Sequence, residues 1–119
     1  MATKIALSEL FAAIDAQDAG KFASFLTEDA VFRYGSSAPV HGRQAVQDHV
    51  AGFFGSLDAL SHRLLAEWES GDAVICEGEA TYTLPGGKDV TVPFVNLMAM
   101  EGNKIKEYKV YVDPTPLAG

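Results

Sequence analysis

VTVPFVNLMAM (residues 90–100), EGNK (101–104) and IKEYKVYV (105–112) together decide the fold. β-Branched and aromatic residues crowd both flanks, and the Gly and Asn of Glu101-Gly102-Asn103-Lys104 are the types that supply positive φ in short hairpin turns. The stretch therefore reads as two long antiparallel strands. Strand side chains alternate, which puts Val92, Phe94, Asn96, Met98 and Met100 on one face and Pro93, Val95, Leu97 and Ala99 on the other. Both faces are apolar, whereas a sheet with one wet face carries polar residues at every second position. The pattern predicts helices over one face and a second copy of the chain over the other. Asn96 is the odd residue in its row. Burying an amide without partners costs about 1–3 kcal/mol, so Asn96 is expected to bond either a neighbouring strand or loop, or a ligand.

Upstream, two more alternating runs extend the sheet. His62, Leu64, Ala66 and Trp68 fall on one face of the first, with Arg63, Leu65, Glu67 and Glu69 on the other. After Ser70-Gly71-Asp72, Cys76, Gly78, Ala80, Tyr82 and Leu84 read as inward and Glu77, Glu79, Thr81 and Thr83 as outward. Pro85-Gly86-Gly87-Lys88 closes a hairpin. On the last strand Lys106, Tyr108, Val110 and Val112 share the inward phase, and Asp113-Pro114-Thr115-Pro116 stops it.

The first half is helical in period. Leu7, Leu10, Phe11 and Ile14 form one stripe over Ser8 to Ala16. Asp18 can cap a second helix that buries Phe22, Phe25 and Leu26 and ends at Thr27-Glu28-Asp29. A short strand from Ala30 to Tyr34, a turn at Val40-His41-Gly42 and a third helix from Arg43 to Phe54 complete the order. Three helices segregated from a curved antiparallel sheet define an α+β class, a cone-shaped roll whose interior is where chemistry could occur.

Composition narrows the function classes. The 119 residues are 48% hydrophobic, enough for a single domain spanning 1–119. With 16 acids against 9 bases the net charge is −7, which argues against nucleic acid and anionic membranes as partners. The start mixes charge with helical period rather than forming a signal peptide, and no apolar run approaches the ~20 residues needed to span a bilayer, so a cytoplasmic location is expected. The lone Cys76 excludes an intramolecular disulfide and reads as a buried strand thiol. The three histidines lie at a turn (His41), on a helix surface (His49) and on a strand (His62), with no metal-ligand spacing. Neither a metal nor a cofactor is expected.

Residues 16–50, AQDAGKFASFLTEDAVFRYGSSAPVHGRQAVQDHV, residues 61–83, SHRLLAEWESGDAVICEGEATYT, and residues 105–117, IKEYKVYVDPTPL, resemble the nuclear transport factor two-like superfamily. The likeness is to its bacterial SnoaL-like and ketosteroid-isomerase-like members, and covers about Leu7 to Leu117. It implies a cystatin-like cone, a homodimer through the outer sheet face and an apolar pocket. Relatives isomerise, cyclise, hydrolyse, dehydrate or merely bind, so fold alone does not choose among them. The carboxylate base of ketosteroid isomerases falls at Tyr34, their tyrosine donor at Leu10, and their protonated aspartate at Asn96 or Val95. The catalytic aspartate of limonene epoxide hydrolase falls at Val110, and its paired arginine and aspartate have no charged counterparts among Gly78, Ala80 and Tyr82.

What remains is the inward polar set His62, Asn96, Tyr82 and Tyr108, with Tyr34 at the mouth and Trp68 nearby. His62 is the one natural acid/base of the set, since unperturbed imidazole titrates at about 6.5. Asn96 is a candidate donor, and Tyr34, Tyr82, Tyr108 and Trp68 are candidate ligand contacts. Asp113, before a proline, reads as a turn residue more than a catalytic acid. The expected ligand is a small apolar molecule carrying oxygen, to be transformed by acid/base chemistry or only bound.

Overall fold

The computed structural model describes residues 5–118. Among these, the order is α1 (Leu7–Asp15), α2 (Ala19–Ala23), β1 (Leu26–Tyr34), β2 (Val40–His41), α3 (Arg43–Gly55), β3 (Ala59–Ser70), β4 (Ala73–Leu84), β5 (Lys88–Glu101), β6 (Lys104–Val112) and α4 (Thr115–Ala118). The apolar stripe explains α1, since Leu7, Leu10, Phe11 and Ile14 are all buried. Asp18 caps α2, accepting the Lys21 N–H at 3.0 Å.

Helix α2 ends earlier than its sequence suggests. Leu26 already opens β1, and Thr27-Glu28-Asp29 lies in the strand rather than at a helix end. The cause is tertiary: Leu26 pairs with Ile105, and the Ile105 N–H donates to the Phe25 carbonyl at 2.8 Å, a ladder that overrides local helix propensity. Val40-His41, expected as a turn, forms β2 opposite Val31 and Phe32.

The six strands form one curved, unclosed sheet in the order β2-β1-β6-β5-β4-β3. The helices lie against one face, so the α+β roll is present. The sheet is mixed rather than wholly antiparallel, because β6 runs parallel to β1 while every other neighbour pair is antiparallel. A parallel pair needs a long crossover, and α3 with the β3–β5 meander supplies it. At the β5–β6 turn Gly102 alone takes positive φ (+64°), while Asn103 does not.

Two β-bulges reset which side chains point inward. On β3, Leu64 pairs with Gly78 and Ala66 with Glu77, so Leu65 is the extra residue. Beyond it the phase flips: Trp68 pairs with outward Ile75 and is 51% exposed, which corrects its expected inward placement. On β6, Met100 pairs with Ile105 and Ala99 with Glu107, making Lys106 the extra residue. Ile105 is consequently buried and Lys106 exposed, the reverse of the straight alternation. Cover on both faces of β5 holds on the helix side only within one chain, since Val95, Leu97 and Ala99 remain half-buried and Pro93 exposed. No helix among the described residues is long and apolar enough to cross a membrane.

Candidate functional site

Between the helices and the sheet lies a partly open cavity of about 60 Å³. That is less than the roughly 150 Å³ that encloses a benzene ring in an apolar core. Helix residues Ile14, Phe22, Val50, Phe53 and Phe54 wall it on one side. From the strands it receives Tyr34, His62, Tyr82, Asn96 and Tyr108, the polar residues singled out from sequence, while Trp68 lies outside on the opposite sheet face.

His62 is held by a residue that the sequence reading missed. Asp15, the last residue of α1, takes the His62 Nδ1 at 2.6 Å on Oδ1 and accepts the His62 backbone N–H at 3.1 Å on Oδ2. A carboxylate only accepts, so the ring carries a proton on Nδ1, and in the neutral ring the lone pair is on Nε2. Phe11 and Phe94 flank the imidazole with ring centroids 5.0 and 5.2 Å away. The side chains of His62 and Asp15 are 10% and 30% exposed, which puts the pair largely out of water. Asp15 was findable. It continues the stripe Leu7, Phe11 by four residues, so the helix that buries those two aims Asp15 at the same face.

Two further pairs complete the polar lining. The Tyr34 and Tyr82 hydroxyls are 3.0 Å apart. The Asn96 Nδ2 donates to the Tyr108 hydroxyl at 2.7 Å. None of the cavity-lining residues is Asp, Glu, Lys or Arg. Asp113 is exposed and accepts the Thr115 N–H at 3.0 Å, and the bonds from Thr115 hold its carboxyl below the usual range. It caps the chain's last turn, away from the cavity. His41 and His49 are both exposed. Among the described residues no three His, Cys, Asp or Glu side chains gather as a metal would need.

Burial pushes the phenols of Tyr108 and Tyr82 well up from 10.0, helped by Cys76 beside the first and Tyr34 beside the second. Burial raises Tyr34 too, partly offset by its bond to Tyr82, and pushes the Cys76 thiol from 9.0 to about 11. The phenols therefore stay protonated donors at neutral pH. Above the unfolded values these groups ionise in the unfolded chain first, so the unfolded state binds fewer protons and stability falls as pH rises. Urea midpoints are expected to lose none of this contribution below pH 9 and to decline from there, first through Cys76 and then through the tyrosines. Tyr108→Phe should flatten the decline, and an equally steep one in that variant would count against it.

A small α+β roll whose curved sheet and helices enclose a partly open, largely apolar cavity is the nuclear transport factor two-like architecture. More narrowly, the chain belongs to the SnoaL-like domain family, whose model matches residues 7–108. Solved structures share the fold at low identity. TerC, crystallised with polyporic acid, is 18% identical with a TM-score of 0.82, over 94% of this chain and 92% of its own. An NTF2-like protein of unknown function from Burkholderia pseudomallei is 16% identical with a TM-score of 0.84, over 93% and 90%. A protein from Catenulispora acidiphila with a ketosteroid isomerase-like fold, in complex with trimethylamine, is 17% identical with a TM-score of 0.81, over 88% and 82%. No curated protein matches the sequence.

Proposed function

We propose that the cavity binds a small apolar molecule carrying one or two oxygens and moves a proton on it, with His62 as acid/base. The observation that carries this is the 2.6 Å Asp15–His62 pair at an aromatic-walled cavity. Asp15 fixes the tautomer, Nε2 takes a proton from carbon or oxygen, and the hydroxyls of Tyr34, Tyr82 and Tyr108 are the groups that can stabilise charge on the substrate oxygen. Isomerisation, cyclisation and hydrolysis all contain such a step. Two relatives crystallised with small molecules, polyporic acid and trimethylamine, support the view that the fold accommodates organic ligands.

Native mass spectrometry of purified protein would identify a retained molecule, and its turnover would then be compared with that of His62→Ala. The expected result is loss of turnover with the molecule still bound. Undiminished turnover removes His62 from the chemistry, and bound molecules never converted would favour a binding protein, a reading consistent with a cavity that has no carboxylate in its lining.

A second copy of the chain is proposed to cover the outer sheet face. Leu65, Trp68 and Tyr111 are 55%, 51% and 55% exposed there, and cross-strand pairing places Trp68 beside Ile75, Ile75 beside Leu97, and Val95 beside Tyr111. Light scattering at micromolar concentration is expected to give twice the 12.7 kDa chain mass, and Trp68→Lys to halve it without loss of secondary structure. A monomeric wild type would overturn this.

A further inference from the structure

Asn96 is 3% exposed, yet its amide is only half used. Nδ2 is spent on Tyr108, while Oδ1, wholly shielded, has no partner among the described residues. Interiors rarely leave a polar atom so, because its desolvation goes uncompensated. Beside it, the Tyr108 oxygen accepts from Asn96 and retains its own O–H for a further acceptor. Both residues line the strand wall of the cavity, so one acceptor and one donor stand side by side there, and a ligand reaches the shielded Oδ1 by displacing a side chain that covers it. Around them stand the rings of Phe22, Phe32, Phe53 and Phe94, and no lysine or arginine is present to balance an anion.

We propose that this pair reads a neutral hydroxyl on an unsaturated or aromatic ring, a phenol or an enol, whose O–H donates to Asn96 Oδ1 while its oxygen accepts from Tyr108. The proposal rests on the cavity being a small-molecule site, as argued above, and adds its ligand class. A carboxylate is disfavoured twice, by the Oδ1 lone pairs and by the missing cation. A ketone answers only the Tyr108 donor and leaves Oδ1 unpaired.

The test uses three probes of similar size, phenol, cyclohexanone and toluene, titrated into the wild-type protein with the His62 ring signals followed by NMR. Phenol is expected to bind about tenfold or more tightly than cyclohexanone, a ratio equal to about 1.4 kcal/mol. Asn96→Leu is expected to erase that preference and improve toluene binding. Equal or better binding of cyclohexanone overturns the proposal while leaving the cavity a ligand site. Failure of all three probes to shift His62 in the wild type overturns both. The wild-type comparison decides whether or not the variant folds.

Discussion

Asp15→Asn is expected to lower turnover by about 10²–10⁴, the range that a positioned general acid/base supplies, while leaving the protein folded. Both Asp15 oxygens accept hydrogen bonds from His62, one from Nδ1 and one from the backbone N–H. Asparagine keeps a single acceptor. If Oδ1 serves the backbone N–H, the amide presents an N–H to Nδ1, drives the ring proton to Nε2 and removes the lone pair from that nitrogen. Nitrogen chemical shifts of His62 report that tautomer without any substrate: the wild type should be protonated on Nδ1 and the variant on Nε2. Asp15 is a positioning residue in this account, so its loss should fall on kcat more than KM and add nothing in a His62→Ala background. A variant with an altered tautomer and wild-type kcat would reduce Asp15 to a tie between α1 and β3.

The parts of this fold legible in sequence are those where one face is buried without interruption. Along β4 and β5 the straight alternation from Val74 to Met100 matches the burial found, and it placed Tyr82 and Asn96 inward correctly. Where a bulge intervenes, counting by twos fails. Leu64-Leu65-Ala66 gives no polar residue to mark the extra position, so Trp68 is carried to the wrong face. The α2 boundary was hidden for another reason, since FLTED (25–29) has no local breaker and is extended by pairing with residues about 80 positions away. The Asn96–Tyr108 bond needed the register itself: Tyr108 sits opposite Met98, which makes Asn96 its diagonal neighbour on the same face. The Asp15–His62 pair spans 47 residues, and only the helical stripe pointed Asp15 at the core.

A signal for the β3 bulge was nonetheless present in Gly78, an isolated glycine within a strand, which often marks a close backbone approach. Gly78→Ala is expected to destabilise the protein by about 3 kcal/mol or more. A Cβ there would run into the Arg63 carbonyl oxygen and stand 3.0 Å from its carbonyl carbon and 3.1 Å from the Leu64 Cα. All three are backbone atoms, so no side chain can swing aside; β3 has to lift from β4 at the bulge. His62 pairs with Ala80, two positions before the Leu64–Gly78 pair, so the same displacement would pull the imidazole from Asp15 and lower turnover even in molecules that stay folded. Gly52→Ala is the control: it lies in α3 with nothing within 4 Å of the added carbon, and alanine there should be neutral or stabilising by up to about 1 kcal/mol. Urea unfolding of the two variants separates the effects. If Gly78→Ala unfolds at the wild-type midpoint, the close approach is dispensable, and the bulge that turns Trp68 outward must be held by the β3–β4 pairing on either side of it.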